Sequence, residues 1–286
     1  MSIQAPFRGA RSFRGGTVVV LVGVLVGLGL VVRWPIAGRT TAAGSVSGGG
    51  ADRSIADRAL SVAANPSIVE MLDRVDRERT LDELRRLSGE RPLCIGTECR
   101  TVPNRVTGGP ALAWAEDYIT TSMSALGYAV SIHEWTEGRW SDRNVVLRKT
   151  GVLSPTEEVY FVAHVDGVSA CPAADDNGSG TVAGLEMARV FADATFARTI
   201  VFLFTSGEEQ GTLGAQAYIQ DQTPQALADV YVLLNLDVVG YDSDGNKAME
   251  LYHGNHGPSI AMAEVMRAMI PTYELDLKPL INPGCG

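Results

Sequence analysis

Three apolar segments of this chain run straight into residue types that bind cations. Residues 159–164 (VYFVAH) end at His164, with Asp166 two places on. Residues 199–205 (TIVFLFT) lead to Glu208 and Glu209, and residues 230–237 (VYVLLNLD) end at Asp237. With residues 144–149 (NVVLRK) they are predicted strands, alternating with predicted helices over 110–126, 179–193, 213–221 and 258–269. That alternation predicts an α/β fold. The segments at 199–205 and 230–237 are almost wholly apolar, the pattern of strands covered on both faces. Ligands of open α/β sheets bind at the carboxyl ends of strands, so the His and the acids are expected along one edge. A further acidic knot, residues 174–180 (ADDNGSG), lies just before a predicted helix.

So many carboxylates on one edge repel one another, and few Lys or Arg lie near these motifs in sequence. A divalent cation is the simplest counter-charge, and imidazole with carboxylates suits zinc better than calcium or magnesium. His164 and Asp166, two apart on an extended strand, point the same way, so Asp166 is placed to orient the imidazole. Adjacent Glu208 and Glu209 point in different directions. One can bind metal while the other accepts a proton from water.

The segments HVDG, ADDNGSG, SGEEQGTLGA and NLDVVGYD, in this order, resemble the co-catalytic zinc aminopeptidases of metallopeptidase family 28. The resemblance covers about residues 89–286 and implies a mixed, mainly parallel central sheet flanked by helices. It implies two zinc ions. His164 and Asp237 would hold the first, with Asp166 behind His164. Asp175 would bridge the pair, followed by a cis Asp175–Asp176 peptide, and Glu209 would hold the second. Glu208 would be the general base, and the substrates would be peptides cut at their N-terminal residue. The same fold includes glutaminyl cyclases, carboxypeptidases and an inactive receptor ectodomain, which are the alternatives. The family's sixth ligand, a His in a Ser-Asp-His motif, does not occur before Gly286, and His253 and His256 are the local substitutes. The domain over 89–286 is therefore expected to be C-terminally incomplete.

The remainder of the chain frames this body. Residues 17–32 are uncharged and apolar behind Arg8, Arg11 and Arg14, the pattern of a signal peptide or an N-terminal membrane anchor over 1–36. A small-residue linker over 37–50 and a helical lead-in over 51–88 follow, the latter with Asn65 as an N-cap and a capping-box pattern at Thr80 and Glu83. The body is thus expected outside the cytoplasm, secreted or membrane-anchored. Cys94 and Cys99 are spaced to close a small loop, while Cys171 and Cys285 either pair or stay free. Net charge is −9, and residues 1–51 hold five of the 24 basic residues and no acid, leaving 19 basic against 33 acidic, or −14. Such a body does not bind nucleic acid, which needs clustered cations. His133 reads as a strand-face histidine, Ser179 as a helix N-cap and Asp242-Ser-Asp244 as a polar turn.

Overall fold

The computed structural model describes residues 64–169 and 171–284. The leader and linker lie outside these residues, as does the lead-in up to residue 63. Two helices open the described chain, α1 (Pro66–Asp73) and α2 (Arg77–Leu87). Asn65 caps α1 by accepting from the Ser67 N–H, with Pro66 at the first helical position. The capping box expected at Thr80 and Glu83 is absent: Asp76 caps α2 instead, accepting from Arg79 N. Thr80 is thereby one turn inside the helix, and Glu83 faces the core.

A short hairpin follows, β1 (Leu93–Ile95) and β2 (Glu98–Arg100), closed by a Cys94–Cys99 disulfide. Helix α3 (Pro110–Ser124) leads through Gly127, at φ +84°, into the long hairpin β3 (Ala129–Glu137) and β4 (Trp140–Lys149). Then come β5 (Ser154–His164), α4 (Gly180–Phe191), β6 (Arg198–Thr205), α5 (Leu213–Gln220), α6 (Pro224–Ala228) and β7 (Val230–Asn235). The strands form one sheet in the order β3-β4-β6-β5-β7. The β3–β4 and β4–β6 pairs are antiparallel, and β6–β5 and β5–β7 are parallel. The expected mixed α/β sheet is present, with parallel pairing confined to the three strands that carry the cation-binding residues. Because β6 and β7 flank β5 on opposite sides, the chain reverses direction across the sheet at β5. Two further strands, β8 (Ala248–His253) and β9 (Lys278–Pro283), pair in parallel around α7 (Gly257–Thr272) as a separate small sheet.

Burial explains which segments pack where. In β6, seven of eight residues are buried, as its apolar run predicts for a strand with neighbours on both sides. β7 does not follow that expectation. Its burial alternates, with Tyr231 and Leu233 exposed, so one face of the strand is uncovered. Helix α4 is buried over nearly its whole surface, and Phe191 at its end packs with Phe161, Phe196 and Phe202 as a ring cluster. Each such aromatic contributes about 1.5–3 kcal/mol by burial.

The one acid in α4, Glu186, is fully buried and takes two hydrogen bonds from Arg79, while Arg189 grips Glu83 through both guanidinium nitrogens. This network fastens the lead-in helix α2 to the central helix, so α2 belongs to the folded body. Among the described residues no helix is long and apolar enough to cross a membrane, and residues 17–32 lie outside them. Removing one partner of a buried ion pair strands the other charge, so Arg189→Ala is expected to lower stability by about 3–5 kcal/mol. Urea unfolding of the full chain measures this, and Arg74→Ala, on an exposed pair with Asp193, is the near-neutral comparison.

Candidate metal centre

The carboxyl ends of β5, β6 and β7 meet where the sheet reverses. His164 is the last residue of β5 and is buried. Its Nδ1 faces Asp166, at 3.2 Å from the backbone oxygen and 3.5 Å from Oδ1, which leaves Nε2 turned toward the opening. Asp176 Oδ1 lies 3.1 Å and Asp237 Oδ1 3.6 Å from that Nε2. One donor atom from each of His164, Asp176 and Asp237 falls within 4.8 Å of the others. An imidazole nitrogen and two carboxylate oxygens at that spacing fit one borderline divalent cation such as zinc.

This corrects the sequence expectation at Asp175. The side chain of Asp175 points away from the cluster and accepts from Gly240 N, and its carbonyl takes the Ser179 hydroxyl. Asp176 occupies the place facing His164, and the cis peptide follows Asp176 rather than Asp175. Asp175 and Asp176 are adjacent with backbone that is not helical at Asp176, so the turn sends their side chains in different directions. Ser179 stands at the N-cap position of α4 but its side chain makes no cap bond; its hydroxyl accepts from Val239 N, so Asp175 and Ser179 together hold the loop after Asp237.

Asp166 lies beneath the cluster with no exposure. It accepts from the backbone N–H groups of Glu208 and Glu209 and from the Thr107 hydroxyl, which also bonds Gln210. Glu208 and Glu209 thus stand at the rim, set by their own backbone, and are not members of the three-residue group. His253 and His256 are not members either. His253 is largely buried with Nδ1 against Gly254 O, and His256 precedes α7.

Two residues that sequence reasoning passed over hold the parts together. Asn177 is fully buried; its oxygen accepts from Gly180 N and its amide donates to Leu236 O, tying the turn at Asp176 to the exit of β7 before Asp237. Arg105, also fully buried, donates to the carbonyls of Leu87, Val165, Pro172 and Ala173. Burial lowers its pKa to about 10 against the opposing pull of Asp166, so it stays cationic at neutral pH. The scarcity of basic residues near the motifs in sequence therefore hid one directly under them. Asn177 sits inside a motif and was within reach of a sequence reading. Arg105 lies in an unremarkable loop and carries no local signal.

The electrostatics are those of an acidic cluster around one imidazole. Burial first, then neighbouring carboxylates, raises the pKa of Glu208 and of Glu209, with His164 opposing in both. Burial alone lowers that of His164, but Asp166 and Asp237 outweigh it and carry the group to about 10.

The site is thus that of an α/β domain with a His–carboxylate centre on its strand ends. Residues 144–277, just under half of the chain, match the model of Peptidase family M28. A relative is aminopeptidase YwaD of Bacillus subtilis, 37% identical over 113 residues, which are 39% of this chain and 24% of that protein. The match thus spans about a quarter of that relative's length. A solved zinc aminopeptidase from Bacillus subtilis, BSAP, superposes with a TM-score of 0.56 at 16% identity, over 72% of this chain and 85% of its own. A glutaminyl cyclase from Porphyromonas gingivalis gives 0.55 at 18% identity, over 75% and 77%. Both likenesses speak to the fold.

Two outcomes are expected. A Cβ on Gly180 would stand 2.2 Å from Leu236 O and 2.3 Å from Asn177 Oδ1. Gly180→Ala should therefore cost about 1–3 kcal/mol and weaken cation binding by displacing Asp237, read by thermal melting and zinc titration. Because the folded-state pKa of His164 is raised above its ordinary 6.5, the metal-free fold gains stability from the imidazolium below about 6.5 and loses it as pH rises through about 10. Cation binding must displace that proton, so calorimetry in buffers of different ionisation enthalpy at neutral pH should show proton release that His164→Ala removes.

Proposed function

We propose that this chain is the aminopeptidase-type catalytic body of a zinc metallopeptidase that removes N-terminal residues from peptides outside the cytoplasm. The observation that carries the proposal is the convergence of His164, Asp176 and Asp237 within 4.8 Å, with Glu208 beside them on a loop anchored by Asp166. Two zinc ions are proposed, His164 and Asp237 serving the first, Glu209 the second, and Asp176 both. When bound, zinc supplies Lewis acidity at the scissile carbonyl and makes water easier to deprotonate. Asp166 holds His164 and the Glu208–Glu209 backbone in register. Glu208 takes the proton from the attacking water and hands it to the departing amine as the C–N bond breaks, a role its raised pKa suits. The Cys94–Cys99 disulfide supports an oxidising compartment, in keeping with the apolar leader. The leader is proposed to direct export or to anchor the body to the membrane.

Glu208→Gln is expected to reduce kcat on amino-acid p-nitroanilides by about 10²–10⁴ while zinc content is retained. Asp176→Asn should lose zinc, and Asp175→Asn should keep it. The reverse order for the two aspartates, or turnover untouched by Glu208→Gln, would overturn the assignment. The likeness to a glutaminyl cyclase, and a three-residue group sufficient for one cation, favour cyclisation as the second reading. Mass analysis of N-terminal Gln peptides separates loss of ammonia from loss of a residue.

A further inference from the structure

The loop carrying Glu208 and Glu209 leaves β6 at Ser206 and returns to α5 at Gly214, and its neck is held by a residue on another strand. Asn144 is fully buried on β4, one place beyond the last β4–β6 backbone pair, Val145 with Phe204. Its Oδ1 accepts from Ser206 N at 3.0 Å and its Nδ2 donates to Gly214 O at 2.8 Å. The same amide group meets Nδ1 of His133, its cross-strand partner on β3, at 3.1 Å. His133 Nε2 in turn reaches Asp221, at the far end of α5, at 3.0 Å. The neck is also closed on itself, by Gly214 N to Ser206 O and Leu213 N to Gly207 O. It has no spare room: a Cβ at Gly214 would lie 2.2 Å from Ser206 O and 2.5 Å from Asn144 Oδ1.

We infer that Asn144, oriented by His133, is a positioning residue that fixes the Glu208–Glu209 loop. It acts at the neck as Asp166 acts at the tip. The inference rests on the aminopeptidase reading only for its effect on turnover. A buried side-chain amide that satisfies one donor and one acceptor at the two ends of a loop replaces the ladder that β4 and β6 no longer make there. Without it, Ser206 N loses the acceptor it has and Gly214 O loses the side-chain donor. The loop can then open, and Glu208 is no longer held where a proton must be received.

The test is hydrogen exchange on the full chain carrying Asn144→Asp or Asn144→Leu, beside Val146→Ala as a core change on the same strand. Asn144→Asp keeps an acceptor for Ser206 N and loses the donor to Gly214 O, so it decides the matter if the Leu variant does not fold. Amides 208, 209 and 211–214 are expected to exchange about tenfold faster relative to those of β5 and β6. In the active enzyme kcat should fall about tenfold or more with KM within about twofold, since the loop serves the transition state. Unchanged exchange at those amides overturns the inference. So does acceleration that spreads equally through β5 and β6 as in Val146→Ala, or faster loop exchange with an unaltered kcat. A wild-type chain that releases nothing would instead defeat the aminopeptidase reading, and the exchange comparison would still decide the clamp.

Discussion

The arrangement depends on one buried carboxylate. Asp166 has no exposure, yet it is surrounded by donors from three separate parts of the chain: the Thr107 hydroxyl, the Glu208 and Glu209 amides, and the His164 ring. A charge buried this deeply is tolerated only when its lone pairs are filled, and here each filling positions something. The ring of His164 is aimed outward, the β6 loop is brought over β5, and the segment before α3 is drawn underneath. Arg105 completes the balance from below. It spends its hydrogens on four carbonyls and so supplies positive charge without occupying any carboxylate that faces the opening.

Much of this was legible because strand ends and chemistry coincide. The apolar runs before His164, Glu208 and Asp237 placed the three parallel strands, and parallel strands bring their carboxyl ends to one edge whatever lies between them. What a linear pattern could not decide was direction within a turn. Asp175 and Asp176 are equivalent as letters, and only the backbone bend between Ala174 and Ser179 separates the one that faces His164 from the one that holds Gly240. The misplaced capping box has a similar origin. Thr80 and Glu83 have the right spacing, but Asp76 starts the helix earlier and Arg189, more than a hundred residues away, claims Glu83. The apolar composition of β7 predicts cover on both faces, whereas alternate residues along it are exposed on one face.

The acidic surplus of the body divides accordingly. Asp166, Glu83 and Glu186 are structural, each buried and met by hydrogen bonds or Arg pairs. Asp176, Asp237, Glu208 and Glu209 face the opening, and of these Glu208 and Glu209 carry pKa values raised by burial and by the neighbouring aspartates, against the pull of His164. Structural acids are answered within the chain. Asp176 and Asp237 share the ring of His164, and carboxylates crowded on one imidazole are the pattern of a functional centre more than of a balanced ion-pair network.

The family match begins at Asn144, but the support for the centre begins far earlier. Thr107 and Arg105 reach in from before α3, and Glu83 and Arg79 join α2 to α4 from earlier still. The stretch by which relatives are recognised is consequently smaller than the unit that must be inherited for the stretch to keep its shape. Change can accumulate in those outlying supports without disturbing recognition, yet a graft of residues 144–277 onto another scaffold would arrive with its ligands and without the foundations that aim them.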